Sequence, residues 1–238
     1  ATAGFLPSSG PVLLFDVPQA EGLRVDTGIE TGDMVSPFYD SMVAKIIAWG
    51  ETREEARLRL CSALRGTALI GVAHNREFLM NLLSDATFIN GLATTDFVDQ
   101  HYRDGFTTAP IATSDVAAAI SLQHIIAAQQ HFDSALSVSS ELRGWVSTGA
   151  SSVSYRFEID GTVADITIET RSATEFAIYI ADDVHTVLYE DCESGLASLL
   201  VDGDRKFISF HEVSNSVLEV SCQYSSFTVT NLDLIPPE

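Results

Sequence analysis

The sequence predicts an α+β chain in two parts: an α+β domain over residues 1–102, then an antiparallel β-barrel enclosing a helix over residues 114–238. Three observations carry that prediction. Strand-like and helix-like segments interleave through the first part. One helical stretch, Val116 to Phe132, is apolar nearly all round. From Leu142 to Leu234 the apolar residues recur with period two. Residues 103–113, with their Gly, Pro and Thr content, read as a linker between the parts.

In the first part, Val12–Val17, Leu23–Thr27 and Met42–Trp49 are rich in branched and aromatic residues and read as strands. Thr52-Arg-Glu-Glu55 is a capping box, in which the threonine hydroxyl accepts from the third helical amide while Glu55 reaches back. The helix it opens carries Ala56, Leu60, Ala63 and Leu64 at amphipathic spacing and ends at Gly66 and Thr67. Leu69–Val72 reads as a short strand, and Asn75 is placed to cap a second helix with Phe78, Leu79, Leu82 and Leu83 on its apolar side.

In the second part, Ser114-Asp115 opens the apolar helix, and a helix without a wet face needs protein around it. Tyr155, Phe157 and Ile159 alternate with Arg156, Glu158 and Asp160. Phe176, Ile178 and Ile180 repeat the pattern, as do Leu218, Val220 and Cys222. Asp160-Gly161 and Asp202-Gly203 are hairpin turn signals. About eight short strands with regular turns suggest a barrel or a strongly curled sheet.

Composition removes several function classes. A hydrophobic fraction of 46% suits a folded core. No run approaches the ~18 apolar residues of a membrane span, and Ala1–Gly10 lacks the basic start and apolar stretch of a signal peptide. The chain opens with Ala1 and not Met, as expected of an excerpt from a longer protein. Net charge is −20; residues 1–102 carry 7 Lys and Arg against 13 Asp and Glu, and residues 103–238 carry 6 against 20. Such a field disfavours nucleic acid and anionic membranes and favours solubility or a basic protein partner. Cys61, Cys192 and Cys222 are sparse, odd in number and without metal spacing, which suits a reducing compartment. His124 and His131 lie seven apart on a helix with no acidic or thiol residue between them, so they read as packing residues and no metal site is expected.

One arginine, Arg24, falls in the extended polar stretch Gly22–Gly28. Its guanidinium is charged at any working pH and offers a planar fork of donors, which suits it to a developing oxyanion. On a strand, solvation or pairing with a carboxylate is the competing reading.

Five motifs then fall in order: Phe5-Leu-Pro-Ser-Ser-Gly10, Arg24-Val-Asp-Thr-Gly28, Tyr39-Asp-Ser-Met-Val-Ala-Lys45, Gly50-Glu-Thr-Arg-Glu-Glu-Ala56 and Gly71-Val-Ala-His-Asn75. Together they resemble the C-terminal domain of biotin carboxylase, the ATP-grasp enzyme of biotin-dependent carboxylases. His74 stands where that family usually has Thr. The second part resembles, in pattern and position and in Glu141-Leu-Arg-Gly-Trp145, the mediating (BT) domain of methylcrotonyl-CoA and propionyl-CoA carboxylase α subunits, a helix inside an antiparallel barrel.

The resemblance implies a fragment of the α subunit of a biotin-dependent acyl-CoA carboxylase, a ligase that uses ATP and bicarbonate to carboxylate a ureido nitrogen of biotin. It implies that Arg24 is catalytic and substrate-binding, holding the ureido oxygen as that oxygen becomes negative. Tyr39, Asp40 and Lys45 are matched positions of the same domain. They are open between a supporting role and a structural one, an aromatic lining the fold and a buried Asp40–Lys45 charge pair. Arg53 matches a position at the family's dimer interface and also reads as an exposed first-turn arginine without a partner. Phe38 is open between ligand and core.

The implied cofactors are biotin, ATP and Mg or Mn in the full-length enzyme. None is expected on this piece, which has no glycine-rich phosphate loop, no nucleotide-clamping lysine and no Met-Lys-Met for biotin attachment. No turnover by the piece alone is expected. The implied partners are the carboxyltransferase β subunit, the biotin carboxyl carrier domain and a second biotin carboxylase copy, with no nucleic acid and no membrane. The implied location is the bacterial cytoplasm or the mitochondrial matrix. Two alternatives stay open: another biotin-dependent carboxylase (urea, pyruvate or acetyl-CoA), and a ligand-binding barrel fused to an unrelated α+β module.

Overall fold

The computed structural model describes residues 8–38, 40, 42–103, 105–134 and 151–234. The chain divides into two compact units, the main boundary falling between Pro110 and Ile111, with Gln223–Ser225 grouped with the first.

In the first unit the strands pair antiparallel two by two. β1 (Gly10–Pro11) pairs with β4 (Met34–Val35), β2 (Leu14–Asp16) with β6 (Ala68–Ile70), and β3 (Leu23–Thr27) with β5 (Ala44–Ala48). The single strand expected over Val12–Val17 is broken because successive amides serve different partners. Val12 N donates to Asp33 O at 2.8 Å, while Leu13 N donates to Ile70 O at 2.9 Å. Gly71 ends β6 with φ +102°, and a Cβ there would lie 2.2 Å from Pro11 O, so only glycine fits the approach.

Helix α1 (Arg53–Gly66) starts on Thr52, whose Oγ1 accepts from Glu55 N at 3.1 Å. Glu55 does reach back, but its carboxylate accepts from Glu51 N at 2.8 Å, one residue before the cap. Cys61 and Leu64 face Met80 and Leu83 of α2 (Arg76–Ser84) in one apolar cluster. Arg57 ties the two helices, holding Glu54 with two hydrogen bonds and donating from Nη1 to Leu83 O at 2.8 Å. Asn75 does not cap α2 with its side chain: its backbone, at φ −107° and ψ 19°, leaves the cap geometry. Two short helices follow, α3 (Ala86–Ile89) and α4 (Phe97–His101). Phe78 of α2 makes edge-on ring contacts with Tyr102 at 5.0 Å and with Phe106 at 5.6 Å, so the stretch read as linker begins packed against its own unit.

The second unit is an up-and-down barrel preceded by a long helix, α5 (Thr113–Ser134). Its strands are β7 (Ser151–Ile159), β8 (Thr162–Thr170), β9 (Glu175–Ile180), β10 (Asp183–Glu193), β11 (Leu196–Val201), β12 (Asp204–Ser214), β13 (Val217–Ser221) and β14 (Ser226–Asn231). Each pairs with the next, and β14 closes on β7 through Val229↔Ile159, Thr230↔Glu158 and Asn231↔Phe157. Closure leaves no unpaired edge. Both expected hairpin dipeptides are turns, with φ +46° and +82° at Asp160-Gly161 and +54° and +91° at Asp202-Gly203. Ser194-Gly195 makes a third turn of that kind.

Alternation sends Phe157, Ile166, Ile168, Ile178, Val187, Leu199, Ile208, Leu218 and Val229 into one apolar cluster, each at most 1% exposed. The first half of α5 belongs to the same cluster: Ala117 to Ile120 and Leu122 are fully buried. Burying one large aliphatic side chain stabilises by about 1.5–3 kcal/mol, so this cluster dominates the unit. Residues 124–132 of α5 are half-buried or exposed, which departs from a helix apolar all round along its length. His124 packs edge-on to Phe176 at 5.7 Å, and burial holds its imidazole pKa below the ordinary value. His131 is exposed, contrary to the packing role expected for it. Glu141–Trp145 and the start of the period-two pattern at Leu142 lie outside the described residues, as do Phe5–Pro7 of the first motif.

Candidate functional site

The β3–β5 ribbon has one face turned outward. Side chains two apart on a strand share a face, so Arg24 and Asp26 project together from β3. Register sets Ile47 opposite Arg24 and Lys45 opposite Asp26 on β5. Arg24 Nε donates to Asp26 Oδ1 at 2.8 Å, and Nη2 donates to Oδ2 at 3.0 Å. Lys45 Nζ stands 3.9 Å from Asp26 Oδ2. The side chain of Arg24 is 73% exposed and that of Lys45 59%, against 38% for Asp26. The Arg24 hydrogen bond holds the Asp26 carboxyl below the usual carboxylate range, and the same bond raises the guanidinium pKa further. Two cations around one carboxylate leave the face with a net positive charge in an acidic chain, a setting that attracts an anion.

Other expected residues fall differently. Lys45 pairs with Asp26 and not with Asp40, and neither is buried. Asp40 is exposed, and its Oδ1 accepts from Met42 N at 3.1 Å in a local turn. The buried Asp40–Lys45 pair is therefore absent, because β3–β5 pairing sets a nearer carboxylate opposite the lysine. Tyr39 lies outside the described residues. Phe38 is 94% exposed and so is not a core residue. Arg53 is exposed but not without a partner: Nη2 donates to Phe88 O at 2.9 Å, and the guanidinium lies 4.8 Å from the Phe88 ring centre. Asp26, inside the quoted motif, drew no separate notice in the sequence; its i, i+2 spacing from Arg24 on a strand was the available signal.

The inner face of β5 borders a cavity of about 320 Å³ lined by Ile46, Leu60, Leu79 and Leu83, with His74 and Arg76 among its polar residues. Burial, reinforced by the Arg76 charge, pushes the His74 pKa down to about 4, so the imidazole is neutral near pH 7. Among the described residues no cluster of three or more His, Cys, Asp or Glu is arranged to hold a metal ion. No described helix is long and apolar enough to cross a membrane.

The ribbon and the α1–α2 helix pair belong to an α+β unit whose outer strand face carries Arg24, Asp26 and Lys45. Residues 1–100 match the family model of the biotin carboxylase C-terminal domain. Over 126 residues the chain is 37% identical to the mitochondrial methylcrotonoyl-CoA carboxylase subunit alpha of Oryza sativa, covering 52% of this chain and 17% of the relative. It is 37% identical to the mitochondrial propionyl-CoA carboxylase alpha chain of Homo sapiens over 42% of this chain and 14% of that one. It is also 40% identical to the biotin carboxylase of Halalkalibacterium halodurans over 42% of this chain and 22% of that one. The aligned segment thus spans less than a quarter of each of these relatives. Among solved structures, the biotin carboxylase domain dimer of Hydrogenobacter thermophilus 2-oxoglutarate carboxylase, in complex with MgADP, ADP and bicarbonate, is 35% identical. It aligns at a TM-score of 0.41, covering 42% of this chain and 22% of that chain. A TM-score that low assigns no fold.

Proposed function

We propose that this chain is a piece of the α subunit of a biotin-dependent acyl-CoA carboxylase: the C-terminal domain of biotin carboxylase followed by a mediating domain. The family match over residues 1–100 carries this reading. Support for the second half is the closed eight-stranded barrel whose apolar cluster takes in Ala117 to Leu122 of α5. In this reading α5 is the barrel's filling, residues 103–113 join domains 1–102 and 114–238, and the barrel works by contact with the carboxyltransferase β subunit. Filling the interior with a helix argues against a ligand-binding barrel.

When bound, biotin supplies the ureido group that accepts carboxylate. The residues here fit it through Arg24, whose exposed guanidinium has donors left over to hold the ureido oxygen as negative charge gathers there. Lys45 adds positive potential from the neighbouring strand, and Asp40 lies in the segment that leads into it. ATP with Mg or Mn does not fit the described residues, which offer no phosphate loop and no metal-binding cluster; no step is assigned to them on this chain. Arg53 marks the face toward a second biotin carboxylase copy, and the carrier domain brings biotin to Arg24. The setting is bacterial cytoplasm or mitochondrial matrix.

The test uses the full-length polypeptide with its carrier domain. Arg24→Met should lower biotin-dependent ADP release by about 10²–10³-fold. A wild-type rate would remove Arg24 from the chemistry. Co-purification with a crotonase-like carboxyltransferase supports the acyl-CoA reading, and its absence favours a urea, pyruvate or acetyl-CoA enzyme.

A further inference from the structure

Where α5 begins, four side chains from three elements of the barrel unit form one chain of contacts. His185 on β10 sits in the middle, its side chain only 12% exposed. Its Nδ1 lies 2.7 Å from Oδ2 of Asp202, in the turn between β11 and β12. Its Nε2 lies 3.0 Å from the hydroxyl of Thr113, the first residue of α5. That hydroxyl in turn lies 3.1 Å from Oδ2 of Asp183, at the start of β10. The other oxygen of Asp202 accepts from Thr186 N at 2.8 Å, so this carboxylate is held from two sides. The Lys206 charge also acts on Asp202, but Lys206 is matched by Asp115 of α5.

Hydrogens are scarce in this chain of contacts. Burial pushes the Asp202 carboxyl up, but the His185 and Thr186 hydrogen bonds outweigh it and hold the group below the usual carboxylate range. An ionised carboxylate only accepts, so Nδ1 of His185 carries a hydrogen. A neutral ring then has a bare Nε2, and the one Thr113 hydroxyl proton cannot serve both Nε2 and Asp183. With a second proton on the ring, Nε2 donates to Thr113 and the hydroxyl is released to donate to Asp183. Only the imidazolium satisfies all three contacts. Histidine is the side chain whose charge ordinarily changes between pH 5 and 8. We propose that His185 is a proton-operated latch, joining Asp183, Thr113 and Asp202 into one chain that ties the first turn of α5 to β10 and to the β11–β12 turn. Loss of the proton opens the Thr113–Asp183 link. Ala117, one helical turn further on, is fully buried, so the latch acts just before α5 enters the apolar cluster. Its contribution is present at low pH and lost as pH rises.

The experiment is a double-mutant cycle on the full chain, read as melting temperature at pH 5.5 and at pH 8. At pH 5.5 Thr113→Val and Asp183→Ala should each lower it by about 2–4 °C, the scale of one hydrogen bond in a chain of this length. The double variant should lose no more than either single one, because the two residues act through one bond. At pH 8 Asp183→Ala should cost nothing. Every comparison is made at one pH, so the opposite dependence of His74 cancels. Equal losses for Asp183→Ala at the two pH values, or no loss at either, overturn the latch. Additive losses at pH 5.5 also overturn it, since Thr113 and Asp183 would then act separately. Nitrogen chemical shifts of the His185 ring give a check that needs no variant. On raising the pH, Nε2 should lose its proton while Nδ1 keeps its own, and the reverse order overturns the proposal.

Discussion

Asp115, in the first turn of α5, and Lys206, on β12, meet at 2.5 Å with both side chains largely withdrawn from water. The pair lies at the end of α5 from which its buried half runs. Lys206→Met strands a withdrawn carboxylate and should cost about 2–3 kcal/mol. Replacing both partners with apolar residues should recover most of that loss. Denaturant midpoints of the single and double variants check it, and equal losses in both would dismiss the pair as a source of stability.

Leu122 is fully buried where α5 joins the barrel's apolar cluster. If α5 fills the barrel, Leu122→Ala opens a void that neighbouring strands cannot collapse to close. The expected loss is about 2–5 kcal/mol, read from chemical denaturation by far-ultraviolet circular dichroism. A loss no larger than that of an exposed substitution would mean α5 is not part of the core.

His74 supplies a pH dependence. Its pKa is 6.5 in an ordinary setting and about 4 in the fold, with burial the main cause. Between those values the unfolded chain binds the proton that the folded chain refuses, so stability is greatest above pH 6.5 and falls as pH drops toward 4. The full effect is at most about 3 kcal/mol. His74→Gln should flatten the fall in melting temperature between pH 7 and pH 4.5 relative to the parent. An identical pH profile in the variant would show that His74 takes up its proton without cost.

Much of this was legible in the residues themselves. Period-two patterning marked Phe157, Ile178 and Leu218 as inward, and Asp-Gly dipeptides marked two hairpins. The capping box named Thr52 correctly because its hydrogen bond spans three residues. Ser194-Gly195 escaped notice although it turns in the same way, since serine at positive φ is a weaker signal than aspartate. Asn75 shows the opposite failure: the residue type suits a cap, but its backbone does not adopt the geometry a cap requires.

Of the ribbon's outer face, Arg24 and Lys45 were singled out in the sequence, but not the carboxylate between them. That the arginine stands on an extended segment follows from local composition, whereas its fork being half occupied follows from the Asp26 carboxylate's actual reach. Lys45 belongs with Asp26 and not Asp40 because β5 lies alongside β3 in one particular register.

Side-chain direction along a strand or helix is a property of a few consecutive residues, so the order of elements, the apolar faces and the outward arginine were determined by the sequence alone. Partner choice depends on which distant segments lie side by side and in what register. The tertiary structure therefore decided the split between β1 and β2, the closure of β14 on β7 and the carboxylate that holds Arg24.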